Sequence, residues 1–204
     1  MTALSEPPRL GEVVPKYLSG TRPGSSGGRF TYEDYCRLPV EGRYELVEGD
    51  IRMAPSPSVL HQEISIRLAA RLLSWVDEHA LGKVYLAPLD VVLDRRNVLQ
   101  PDISYVSAER LAIIQEANIV GPPDLVVEIL SSSDPDWDRV TKRAVYARHG
   151  VREYWLVDPV TKAVEVTRQQ DGQLVTAAVY VAPAAFSSPL LPGLTVDLEA
   201  LFRP

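Results

Sequence analysis

Apolar residues recur along the chain as Leu60, Ile64, Leu68, Leu72 and Trp75, spaced by four, four, four and three. That is the stripe of an amphipathic helix, and Ser56-Pro57 ahead of it supply a cap and a first-turn proline, so the pattern predicts a long helix starting there. Upstream, Thr31 is placed to cap a short helix through Tyr32, Tyr35 and Leu38, ended by Pro39. Tyr44-Glu45-Leu46-Val47-Glu48 and Ile51-Arg52-Met53 read as two strands joined by a tight turn at Gly49-Asp50. Strand-like runs follow at 83–87, 89–93 and 102–106, then a helical patch at 108–117 broken by Gly121-Pro122-Pro123. Residues 125–130 form a largely apolar run of the kind found in central strands. Residues 136–149 read as a helix stopped by Gly150, and 152–157, 163–168 and 174–180 as strands linked at Asp158-Pro159 and Asp171-Gly172. These elements predict an α/β architecture, a mixed sheet flanked by helices, and no internal repeat interrupts them.

Residues 1–29 depart from this texture. Pro7, Pro8, Pro15, Pro23 and the run Gly24-Ser25-Ser26-Gly27-Gly28 bury too little apolar area to offset ordering entropy, which predicts a flexible leader before one domain over 30–204. The whole chain of 204 residues is long enough for one domain with a real core. No apolar run approaches the roughly 20 residues of a membrane helix, and the N-terminus lacks the basic start and apolar stretch of a signal peptide, so a cytoplasmic location is expected. A single cysteine, Cys36, excludes an intramolecular disulfide and any multi-cysteine zinc site; beside Tyr35 it reads as a small packing residue. The net charge of −6 argues against a non-specific nucleic-acid binder with a basic footprint, although carboxylates gathered at a metal site lower net charge while the metal restores it locally.

Glu128 is the most informative residue, because Val126, Val127, Ile129 and Leu130 surround it and an unpaired carboxylate in a dry strand is costly. It faces solvent from an edge strand, sits in a structural ion pair, or binds a metal. Asp102, following Pro101 at the start of a strand, supplies with Glu128 two hard oxygen ligands on strands that could be neighbours. Such a pair suits Mg²⁺, which takes one or two carboxylates and keeps several waters. Lys142 lies on the following helix with Tyr146 one turn later on the same face. Either Lys142 pairs with Asp138 on a solvated face, or its ammonium stands over the metal site and offsets developing phosphate charge. Glu45 and Glu48 should point to opposite faces of their strand. His61 borders its helix stripe and reads as a hydrogen-bonded packing residue or a ligand, while His79 and His149 sit near helix ends, where the dipole favours them.

Several segments together resemble the Uma2 (DUF820) family. They are Arg43-Tyr44-Glu45-Leu46-Val47-Glu48-Gly49-Asp50, Pro55-Ser56-Pro57 with His61, Gln100-Pro101-Asp102-Ile103, and Pro123-Asp124-Leu125-Val126-Val127-Glu128-Ile129-Leu130-Ser131. Asp138 with Lys142 and Tyr146, the run Gly150-Val151-Arg152-Glu153-Tyr154-Trp155-Leu156-Val157-Asp158-Pro159, and Leu191-Pro192-Gly193-Leu194 extend the likeness in order over roughly residues 30 to 203. That family is similar to restriction-endonuclease-like PD-(D/E)XK proteins. The resemblance implies the PD-(D/E)XK nuclease-like fold, Asp102 and Glu128 as metal-binding acids, and Glu45 as the acid such folds often take from an earlier segment. One position departs from the pattern: Glu-X-Lys would place lysine two residues after Glu128, where this chain has Leu130, and Lys142 is the candidate substitute.

The resemblance implies a metal-dependent endonuclease acting on phosphodiester bonds, with DNA as the expected partner, Mg²⁺ or Mn²⁺ as the cofactor, and Asp102, Glu128, Lys142 and Glu45 as catalytic residues. His61 and Tyr146 are candidates for the site wall. A nuclease-fold binding module without catalysis and a metal-dependent hydrolase of a small phosphate ester are the rivals. Clustering of Arg67, Arg71, Lys142, Arg143 and Arg148 around one cleft favours nucleic acid; their dispersal favours the small substrate. A homodimer is expected, since twofold dimers are the commonest soluble oligomers and suit cutting both strands of a duplex.

Overall fold

The apolar stripe that dominates the sequence forms the longest helix of the computed structural model, which describes residues 17–18, 29–38, 43–131 and 136–203. The expected flexible leader over 1–29 lies outside the described residues apart from β1 (Tyr17–Leu18), which pairs with Ile51 and Arg52, and Arg29. The capping box of Thr31 and Asp34 opens α1 (Tyr32–Tyr35), and Cys36 just after it is exposed rather than packed. A hairpin joins β2 (Tyr44–Val47) to β3 (Asp50–Met53). Its turn residues Glu48 and Gly49 have φ of 52° and 83°, the conformation of a two-residue turn that matches strand twist. A Cβ on Gly49 would fall 2.5 Å from the Arg29 Cβ, so glycine is needed there on both counts.

The long helix α2 (Val59–Glu78) begins two residues later than the Ser56-Pro57 signal suggests. Ser58 is the N-cap; its backbone is extended and its Oγ accepts the His61 N–H at 3.2 Å. Ile64, Leu68, Leu72 and Val76 are buried along its inner face, whereas Leu60 is 47% exposed, so the buried stripe starts one turn later than the pattern and ends on Val76 in place of Trp75. There follow β4 (Gly82–Leu86), β5 (Val91–Asp94), β6 (Asn97–Leu99) and β7 (Ile103–Ser107). The 108–117 patch is a shorter 3₁₀ helix, Ala108–Ile113, ahead of β8 (Ile119–Val120) and β9 (Leu125–Ile129). The predicted helix over 136–149 divides into a π-helical stretch, Trp137–Lys142, and α3 (Arg143–His149), ended by Gly150 at φ 88°. The C-terminal part holds β10 (Glu153–Asp158), β11 (Ala163–Gln170), β12 (Gln173–Val181), β13 (Ala185–Ser188), β14 (Leu191–Asp197) and α4 (Leu198–Leu201).

The strands make two larger sheets, ordered β1-β3-β2-β6-β5-β8 and β12-β11-β10-β9-β7-β4, and a β13-β14 hairpin. In the second sheet β9 runs parallel to β10 and antiparallel to β7, so it is central, and all five of its residues are buried. Alternation then sorts its side chains: Leu125, Val127 and Ile129 join α2, Trp155 and Val157 in one cluster, while Val126 and Leu130 join Val145, Tyr146, Tyr154 and Leu156 in another. Each large apolar side chain so buried contributes roughly 1.5–3 kcal/mol. Helices on both faces of a mixed sheet give the predicted α/β class, and Glu128 lies on the face covered by α3.

Candidate active site

Glu128 sits inside the sheet at 3% exposure, which removes the edge-strand reading. Its Oε1 is 3.1 Å from the Lys142 Nζ and accepts the Tyr146 hydroxyl at 2.8 Å. Lys142, read either as a solvated helix residue or as a site lysine, is buried at 6% exposure. Its ammonium also meets Glu45 Oε1 at 2.9 Å and Asp138 Oδ1 at 3.4 Å. The π-helical turn that carries Asp138 and Lys142 widens the helix at this point, a distortion frequent at functional sites. Both residues project inward, Tyr154 donating to the Asp138 carbonyl at 3.0 Å.

Glu45 is buried on β2, and Glu48 lies beyond it in the turn, paired with Arg148 at the surface, so the two acids part because Glu48 leaves the strand and not by alternation across it. Glu45 Oε1 also accepts the Gln100 N–H at 3.1 Å, and Trp137 Nε1 stands 3.5 Å from its Oε2. Asp102, immediately before β7, accepts the Ile129 N–H at 2.8 Å through Oδ2, which ties it to the residue after Glu128. His61 Nε2 is 3.0 Å from the same Oδ2. Of the expected catalytic and wall residues, Glu45, His61, Asp102, Glu128 and Lys142 line one cleft of about 580 Å³, and Tyr146 lies behind Glu128, fully buried. The cleft also includes Asp138, Trp137, Arg43, Arg52 and Arg139. Of these, the sequence marks Asp138 as a lysine partner and Arg43 as the start of a family-like segment without giving either a place in the site, and it gives no signal for Arg52, Trp137 or Arg139.

The electrostatics follow from one buried cation among several acids. Burial works against the Lys142 charge, but Glu128, Glu45 and Asp138 outweigh it and hold the ammonium well above its usual range, so it stays protonated. The shortage of positive charge falls on the acids. Burial pushes Glu128 well above the carboxylate range, with Asp138, Asp102 and Glu45 adding to it against Lys142. Asp138 is raised in the same way, by burial first and then by Glu45 and Asp102. Burial and Glu128 also keep the Tyr146 phenol protonated, as a donor.

Among the described residues no three His, Cys, Asp or Glu side chains form a ready metal cage. The donors present are hard carboxylate oxygens with negative charge in excess of the cations, a set that fits a hydrated divalent ion needing one or two protein carboxylates and does not fit a closed transition-metal site. The basic residues nominated for a nucleic-acid face do not gather: Arg67 bonds the Leu201 and Arg203 carbonyls, Arg71 the Thr195 carbonyl, and Arg143 the Leu174 carbonyl and Glu165. Only Lys142 of that group reaches the cleft.

A mixed sheet with an acid from the strand-edge segment at Asp102, an acid on the central strand at Glu128, and a lysine against it defines a restriction-endonuclease-like α/β protein. The chain belongs to the Uma2 family, whose model, described as "Putative restriction endonuclease", matches residues 32–199. Among solved structures it is similar to "a putative nuclease belonging to DUF820" from Anabaena variabilis, with 25% sequence identity and a TM-score of 0.72, covering 85% of this chain and 97% of that one. No curated protein matches the sequence. No described helix is long and apolar enough to cross a membrane.

Proposed function

We propose that the protein is a divalent-metal-dependent nuclease that hydrolyses phosphodiester bonds in DNA. The observation that carries this reading is the Lys142 ammonium, buried 3.1 Å from Glu128 in the cleft that also holds Asp102. Family membership supports nuclease chemistry and, with it, nucleic acid as the partner. Asp102 and Glu128 would hold Mg²⁺ or Mn²⁺, which when bound neutralises charge on the transferring phosphoryl oxygens.

The remaining work belongs to the chain's own groups. Lys142, kept charged by its acidic neighbours, presents an ammonium where anionic phosphate charge develops and where a water can be oriented for attack. Tyr146 fixes one oxygen of Glu128, and the Ile129 N–H with His61 fixes one oxygen of Asp102, so each acid keeps its other oxygen for the cleft. Glu45 and Asp138 hold Lys142 from the sides. In hydrolysis the water oxygen bonds to phosphorus as the bond to the leaving sugar oxygen breaks; the attacking water gives up one proton to solvent or an ionised cleft carboxylate, and the leaving sugar oxygen takes one up from solvent. A homodimer in the cytoplasm is the setting we propose for it. End-labelled DNA incubated with Mg²⁺, with Mn²⁺ and with EDTA tests this function: cleavage should require the ion and vanish in Glu128→Gln.

A second reading, hydrolysis of a small phosphate ester by the same groups, is favoured by the dispersal of Arg67, Arg71, Arg143 and Arg148 away from the cleft. The same assay run with small phosphodiesters separates the two.

A further inference from the structure

The cleft has its own cations and its own flat surface. Arg43, Arg52 and Arg139 line it, and Arg52 lies over the Trp137 ring with its guanidinium carbon 4.4 Å from the ring centre, within cation–π range. Arg139 is held by Asp158 at 3.0 Å, and Arg43 reaches Gln100 at 3.4 Å. Trp137 leans through Nε1 toward Glu45, 3.5 Å away, so this platform adjoins the acid cluster directly. The volume of about 580 Å³ is that of a pocket for a nucleotide-sized group.

Resting on the nuclease reading, we propose that the cleft takes a single-stranded segment of DNA and stacks one base on the Arg52–Trp137 pair. Every base has a π-face, so an aromatic ring or a guanidinium plane accepts it without regard to sequence. Arg43 and Arg139 line the same cleft, and with the guanidinium nitrogens not used on Gln100 and Asp158 they would meet the flanking phosphates, which the acids alone would repel. A base inside a duplex reaches such a recessed surface only by leaving its stack, at the expense of pairing. The net charge is −6, and among the described residues Arg67, Arg71 and Arg143 bond main-chain carbonyls instead of lining the cleft, so they do not extend it into the basic track that duplex binding uses.

The test is fluorescence anisotropy with a labelled single-stranded DNA oligonucleotide, its duplex, and the same sequence as RNA, each titrated in Ca²⁺ and in EDTA. The single DNA strand should bind tightest. Trp137→Met, which fills the volume without a ring, should weaken it roughly tenfold or more, and Trp137→Phe should keep most of the affinity. Arg52→Gln should also weaken it, and decides the matter if circular dichroism shows Trp137→Met unfolded. Tighter binding of duplex or RNA, binding indifferent to these variants, or no oligonucleotide binding in either buffer overturns the proposal. Cleavage is scored separately: hydrolysis that fails while ring-dependent binding persists counts against the nuclease reading, and hydrolysis that persists without ring dependence counts against the platform.

Discussion

Lys142 Nζ lies 3.1 Å from Glu128 Oε1 although fourteen residues separate them in the chain. The position two residues after Glu128 carries Leu130, which lies just past the end of β9, on the side of Val126, and packs with Val145 and Tyr146. The ammonium that Glu-X-Lys would bring from the strand therefore arrives from the π-helical turn, and the strand keeps an apolar side chain there.

Removing that ammonium should unsettle the fold. Lys142→Ala leaves Glu128, Glu45 and Asp138 buried without their shared cation, at an expected cost of about 3–5 kcal/mol in urea unfolding. Adding Glu128→Gln to Lys142→Met should recover part of that loss, since one charge then leaves with the other. A Lys142→Ala protein as stable as the parent means that the four groups are not energetically joined.

Metal binding should be visible without substrate. Mn²⁺ in large excess over its Kd should raise the thermal midpoint, since a ligand bound only by the native state stabilises it by mass action. Asp102→Asn should abolish the rise. An undiminished rise in that variant takes Asp102 out of the metal site.

Asp124 offers a pH test away from the cleft. It is fully buried; burial alone works to raise its carboxyl, but the Ser107 N–H at 2.8 Å, Arg110 at 3.0 Å and Arg152 at 3.2 Å prevail and hold it below the ordinary carboxylate range. A depressed folded value means stability that is present above the unfolded value of about 3.9 and lost as pH falls through the folded one. Asp124→Asn should lower stability at neutral pH by roughly 1–3 kcal/mol, and the two proteins should converge in acid. A constant gap across the range from pH 7 to the acid limit contradicts this.

Where local pattern and burial agree, the sequence was a good guide. The four-residue stripe of α2, the apolar run of β9 and the stop at Gly150 all recur in the structure because each depends on near neighbours. Elements made by pairing were harder to read. β6 and β8 are three and two residues long and exist through their partners, and Leu191–Asp197, matched only as a motif, needed Ala185–Ser188 beside it to become a strand. In the site, the acids stood out because a carboxylate in an apolar run demands a partner. Trp137 and Arg52 did not, since nothing near either in sequence announces that β3 and the π-helical turn meet across the cleft.

The most direct measurement is single-turnover cleavage of DNA with Mg²⁺ by folded Lys142→Met and by Lys142→Met with Leu130→Lys. Our account predicts a loss of about 10²-fold or more in the first, the scale of losing one charge-stabilising group at a transition state. It predicts partial recovery in the second, where the lysine returns to the strand beside Glu128. Unchanged cleavage in Lys142→Met would contradict the account.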